Sequence, residues 1–248
     1  MPKPLGFIIY QGPSALDGSP IVAIATGFGN LSKNAKTGAM VQTYILRADV
    51  HPVEALKTGQ DVSICGTCPH RPKVDASGHV TRTCYVNVAK GVSAVYGAFQ
   101  RGRYVSGLLN AADAAEGRMV RLGTYGDPAA VPANVWHTLT AKAQGHTGYT
   151  HQWRNESADA LRGLCLASAD SAEDRTQALA AGWRTFRVRH ESEALQRGEV
   201  SCPASEEAGR KVQCEQCRAC SGADGRKGTI SIIAHGQQAR RFIPIHSA

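Results

Sequence analysis

Seven of the eight cysteines in this 248-residue chain fall into two clusters, so the fold must bring sulfur together twice. The later cluster reads CEQCRAC, with Cys214, Cys217 and Cys220 each separated by two residues and Cys202 upstream, followed by Pro203. Three thiolates at that spacing suit a compact cubane, and a remote Cys-Pro completes the ligand set in the bacterial ferredoxin run. Four thiolates also satisfy a tetrahedral structural zinc, although zinc more often uses two separated pairs. Both metals stay open on spacing alone.

The earlier cluster is ICGTCPHRP, followed by TRTCYVNV. Cys65 and Cys68 form a knuckle that Cys84 joins from beyond a loop, with His70 and His79 in between. Three cysteines leave one position of an iron–sulfur cluster open. Adding His70 or His79 would instead close a zinc site, unless these histidines are ordinary loop residues. Cys165 stands alone in GLCLASADS and reads as a buried small hydrophobe.

No apolar run is long enough to span a bilayer, and MPKPLGFIIYQG lacks the pattern of a cleaved leader. A bacterial cytoplasm follows as the expected location, and in a reducing compartment clustered cysteines are metal ligands before they are disulfides. The net charge of +8 favours polyanions, nucleic acid first, although the basic residues occur as scattered pairs.

Residues 1–60 read as a strand-rich lead-in, with strands at Phe7–Tyr10, Ile21–Thr26 and Val41–Leu46. Between them, NLSKNAKTGAM holds Asn34, Lys36 and Thr37, a candidate anion-binding loop without P-loop spacing; a solvated loop is the plainer alternative. Asp49 is placed to cap a helix with Pro52 in its first turn and Gly59 at its stop. Residues 61–236 carry both cysteine clusters, and 237–248 form a tail. From residue 90, helical SAVYGAFQRGRY, ANVWHTLTAKAQG and AEDRTQALAAG alternate with strand-like MVRLGTY, GYTHQW, LRGLCLASADS, WRTFRVRH and GTISIIAHG. That alternation predicts an α/β fold, a partial parallel barrel with crossover helices. In such folds chemistry gathers where strands end, which selects Asp127, Asp170 and His235 as pocket candidates. Each has a simpler role: Asp127 and Asp170 as turn or helix caps, His235 as a strand terminus.

NAKTGAMVQTYIL, ICGTCPHRP with TCYV, GTYGDPAAVP and the downstream CP and CEQCRAC together resemble a group of phage- and plasmid-encoded cysteine-cluster proteins. The resemblance covers the chain from about Ser32 onward and brings no activity to carry over. The layout is also similar to a partial barrel of the radical-SAM kind. That likeness implies a 4Fe-4S cluster held by three cysteines after the first strand, S-adenosylmethionine at its open iron, and an auxiliary cluster downstream. The chain departs from the pattern in placing Cys84 sixteen residues beyond Cys68. Two functions follow as expectations. One is a cluster-bearing enzyme acting on nucleic acid or nucleotides. The other is a non-catalytic, zinc-stabilised module that binds nucleic acid or a host protein.

Overall fold

Apolar runs that are buried on both faces set the centre of this molecule. In the computed structural model, which describes residues 4–29, 36–74, 77, 80–209, 212–223, 228–235 and 239, PIVAIAT forms β2 (Pro20–Thr26) and VQTYILR forms β3 (Val41–Arg47), after β1 (Gly6–Pro13). Ile21 to Ala25 are all inaccessible, as are Val41, Ile45 and Leu46. Such strands alternate poorly in sequence because neither face meets water.

The chain continues through α1 (Pro52–Thr58), α2 (Val62–Cys65) and a small hairpin of β4 (Lys73–Val74) and β5 (Val80–Thr81). Then come α3 (Ser93–Gln100), β6 (Val105–Ser106), α4 (Leu108–Ala114), β7 (Met119–Tyr125), α5 (Ala133–Thr140), β8 (Gly145–Thr147) and β9 (Tyr149–Thr150). Last are β10 (Leu166–Ala169), α6 (Ala172–Ala180), β11 (Thr185–Arg189), β12 (Glu199–Ser201), α7 (Cys214–Cys217) and β13 (Thr229–Ile233).

Two sheets result. The first has the order β6-β1-β2-β3-β7-β8 and the second β12-β13-β11-β10-β9. The pairs β1–β2 and β2–β3 are antiparallel, while β3–β7 and β7–β8 are parallel. Every pair in the second sheet is parallel. The parallel pairing expected for residues 90–236 is therefore present, and it extends backward to β3. The sheets adjoin through one stretch of chain: Gly145–Thr147 pairs with β7, Tyr149–Thr150 pairs with β10, and Gly148 lies between. The helices pack on the sheets: α1 and α2 against β3, α4 and α5 against β1, and α6 against β10 and β11. No helix among the described residues is long and apolar enough to cross a membrane.

Several local expectations need correcting. His51, not Asp49, caps α1, accepting from the Val53 amide, while Asp49 is drawn to Arg47 at 2.9 Å. Pro52 and Gly59 do open and close that helix. The α5 helix ends at Thr140, because Gly145 already begins a strand. LRGLC is no strand; the chain turns there, and β10 starts only at Leu166. Ser171 rather than Asp170 caps α6 by accepting from the Asp174 amide, which frees Asp170 for other partners.

Candidate functional site

Parallel strands present their C-terminal ends to one edge, and period-two alternation sends every second side chain of a strand to the same face. On that face Arg121, Gly123 and Tyr125 of β7, Thr147 and Tyr149, Ser168, Phe186, Val188 and Ile232 line a cavity of about 570 Å³. All seven clustered cysteines line it too. Cys165 does not; it is fully buried in the main core, as its apolar context suggested.

The sixteen-residue gap before Cys84 is closed by local structure. β4 pairs with β5 in the register Lys73↔Thr81 and Val74↔Val80, which returns the chain toward the knuckle. The Cys84 amide then donates to the His70 carbonyl at 3.1 Å, beside the knuckle. Arg71 pins the knuckle from below. Its guanidinium bonds both oxygens of buried Asp61, at 2.9 and 2.7 Å, and the carbonyls of Gly66 and Gly59. Such a two-pronged contact fixes orientation as well as charge. Gly66 between the cysteines has φ +53°, and a β-carbon there would lie 2.5 Å from the Gln152 side chain. Gln152 in turn donates to the Cys65 carbonyl at 3.3 Å. Burial pushes the Cys65 thiol well up, and its neighbours Cys68 and Asp61 add to the rise; burial also raises Cys84.

The second set is gathered by different devices. The Cys202 amide donates to Ser231 of β13 at 2.7 Å, and the Cys214 amide to the Lys36 carbonyl at 2.8 Å. The single turn of α7 carries Cys214 and Cys217, and Arg218, at φ 53°, reverses the chain toward Cys220. Buried Arg184 holds the return, donating to the carbonyls of Ala219, Gly222 and Gly228 at 2.9, 2.6 and 2.7 Å. The Gly148 amide, at the junction of the sheets, donates to the Cys220 carbonyl. Burial lifts the Cys220 thiol to about 12, the Tyr149 hydroxyl bond opposes this, and Cys202, Cys214 and Cys217 add to it. Crowded buried thiols of this kind are costly to ionise unless a cation shares them.

Among the described residues, no three cysteine sulfurs come within 4.8 Å of one another. The group that does meet that spacing is His70, His151 and Asp170. His70 Nε2 lies 2.8 Å from Asp170 Oδ1, and His151 Nε2 lies 3.2 Å from Oδ2. His70 Nδ1 is 2.7 Å from Thr83 Oγ1, and Cys68 Sγ is 4.0 Å from His151 Nε2. Burial opposes charge on both partners, but the attraction prevails: His151 is raised well above its usual value by Cys68 and Asp170, and Asp170 is lowered by the two imidazoles.

Asp127 does cap its turn, accepting from Ala129 with Oδ1. Its Oδ2 also accepts from the His151 amide at 2.8 Å, so Asp127, His151 and Asp170 form one chain of contacts. Burial raises Asp127. His235, past the end of β13, lines the same cavity with its ring 5.6 Å from Tyr85. The three strand-end candidates thus follow the C-terminal ends of β7, β10 and β13, on one edge. Lys36 and Thr37 lie on the cavity wall, and the nearby Ala39 amide is taken by the Glu215 carboxylate at 2.9 Å. Asn34 and His79 lie outside the described residues.

Sequence reasoning passed over His151, Arg121, Tyr149 and Arg184. His151 sits inside the strand-like GYTHQW, and it reaches a strand end only because β9 stops at Thr150. Arg121 faces the cavity from mid-strand and donates to the Tyr85 hydroxyl at 2.9 Å; although burial opposes its charge, nearby Tyr85, Tyr149 and Cys214 hold it protonated. No family model, curated protein or solved structure matches the chain.

Proposed function

We propose that this protein holds two iron–sulfur centres facing one reaction chamber, and that it acts as an enzyme of the radical-SAM kind on a nucleotide or nucleic-acid substrate. The observation that carries the reading is the convergence of both cysteine sets on one cavity at the C-terminal edge of parallel strands. The two sheets, joined through residues 145–150, support a barrel-like trough around that chamber. Cys202, Cys214, Cys217 and Cys220 supply a closed set of four ligands. Cys65, Cys68 and Cys84 supply three, leaving a position for S-adenosylmethionine.

Sulfur spacing favours iron–sulfur over zinc at the cysteines. Four ligands around one zinc at about 2.3 Å would lie about 3.8 Å apart, closer than any three of these sulfurs achieve. A cubane places each thiolate on a different iron and needs a wider cage. The chain's own residues would do the rest. Arg121 and the +8 charge suit a phosphate-bearing ligand, and Tyr85, Tyr149 and Phe186 offer aromatic faces to a base. Asp127 and His235 stand at the rim as candidate acid–base groups.

Anaerobic purification followed by iron and acid-labile sulfide analysis tests this reading. About two clusters' worth of iron, with a brown chromophore that Cys217→Ser and Cys84→Ser each diminish, supports it. A colourless protein holding only zinc overturns it in favour of the closed, non-catalytic module that binds nucleic acid or a host protein.

A further inference from the structure

We infer that His70, His151 and Asp170 form a separate mononuclear site for a divalent transition ion, zinc or ferrous iron. The site stands beside the cysteine centres and does not depend on them. Two imidazole nitrogens and one carboxylate oxygen converge within 4.8 Å. Around a tetrahedral ion with bonds near 2.0–2.1 Å, ligand atoms lie about 3.3–3.4 Å apart. His70 Nε2 lies 2.8 Å from Asp170 Oδ1 and His151 Nε2 lies 3.2 Å from Asp170 Oδ2, so the carboxylate faces both imidazoles, and an ion draws the three ligand atoms, already within 4.8 Å, into its shell. Imidazole selects zinc or iron over magnesium and calcium, which prefer all-oxygen shells.

The ligands are held in place before any ion arrives. The Thr83 hydroxyl meets the far nitrogen of His70 and so holds the ring in the orientation a ligating histidine needs. The backbone of His151 is fixed by Asp127, and the amide of Asp170 donates to Asp174 Oδ2 at 3.1 Å. Three protein ligands leave at least one coordination position for water or substrate. The group also stands in the wall between two cavities. His70 and His151 line the chamber with the cysteines, whereas His151 and Asp170 line a second cavity beside Trp153 and Arg154. An ion there is reachable from a side that the cysteine centres do not occupy.

Cobalt is the probe. The full chain, purified anaerobically under reducing conditions, is titrated with Co²⁺, comparing wild type with Asp170→Asn, His151→Gln and Cys84→Ser. The expected result is a ligand-field absorption of nitrogen–oxygen character that survives Cys84→Ser. Loss of a residue that only hydrogen-bonds a ligand weakens metal binding ~10–100-fold. Asp170→Asn and His151→Gln should therefore weaken this component by more than about 100-fold, while the thiolate-to-cobalt bands persist as an internal measure of folding. X-ray absorption on zinc-loaded wild type gives a readout without mutation and should show a nitrogen–oxygen shell in addition to any sulfur. A cobalt spectrum unchanged by Asp170→Asn, or a zinc shell of sulfur alone, overturns the inference. If cobalt and zinc both bind, competition with Fe²⁺ under anaerobic conditions distinguishes the two resident ions. Iron and sulfide at the cysteines are measured separately, so either reading can fail alone.

Discussion

The two sheets of this protein are stabilised in different ways. The first rests on apolar burial: Ile21, Ile24, Ile45, Leu46, Leu122 and Trp136 are all fully inaccessible in one continuous core. The second has a small apolar cluster in which two of five buried members are cysteines, Cys202 and Cys220, beside Leu166, Ile230 and Ile232. What it has instead is buried charge. Arg187 and Glu199 pair at 2.8 Å with both side chains inaccessible, and Arg175 reaches the same carboxylate at 3.2 Å. Arg184 ties three carbonyls around the cysteine loop. A buried ion pair contributes little beyond an apolar pair of the same shape, but it is costly to break one-sidedly. The second sheet is thus built for a definite geometry at its cysteine loops more than for stability of its own.

The sharpest way to break this contrast is Glu199→Ala, which takes the buried carboxylate from Arg175 and leaves Arg187 with Glu193 alone. It should cost about 3–5 kcal/mol in urea unfolding, and a Glu199→Met, Arg187→Met double variant should recover most of that. A loss below about 1 kcal/mol for the single variant would show that the pair is not desolvated. In the first sheet Ile45→Ala should cost about 2–5 kcal/mol through a cavity alone, with metal content unchanged. If the proposed second centre is present, Cys217→Ser should do the opposite, releasing its metal and lowering the melting of the second sheet while the core around Trp136 holds. Equal metal content and melting in that variant would remove the centre from the account.

Acid sharpens the same comparison. Burial alone would raise Glu199, but Arg187 hydrogen bonds and charge outweigh it and hold the carboxyl below its ordinary value. Its contribution is therefore full above about pH 4.3, the unfolded value, and fades as pH falls through the lower native one. Glu199→Gln should flatten the acid limb of the stability curve measured by denaturant unfolding. At the small end, Arg47 and Asp49 meet where the carboxylate is half exposed, and Asp49→Asn should shift stability by no more than about 1 kcal/mol. The net charge of +8 gives a further check, since binding to single- or double-stranded nucleic acid should weaken linearly on a log–log salt plot. Absence of binding at low salt removes nucleic acid as the substrate while leaving nucleotides.

Much of this was open to reading in the chain. Strand–helix alternation after residue 90 announces parallel pairing because helices must cross over to reach the next strand. The sequence also places Asp127, Asp170 and His235 just past strand ends, where the structure has them. What it could not reach depends on tertiary pairing. His70 meets Asp170 across one hundred positions, and nothing local in PHRP marks that meeting. The hairpin that returns Cys84 has only two residues per strand, too few for periodicity to register. The three residues of β12 are hidden for the same reason. The capping roles that composition suggests for Asp49 and Asp170 are filled by His51 and Ser171, since a shift of one or two residues is invisible to composition.

The order β12-β13-β11 puts the last strand between two earlier ones. On the ribosome, β11, β12 and all seven clustered cysteines emerge before Thr229, yet β11 and β12 have no partner in common until β13 slides between them. The Cys202 amide acquires its Ser231 acceptor only at that step. The second sheet, and with it the backbone anchor of Cys202, is therefore completed by a five-residue strand that follows every clustered cysteine in sequence.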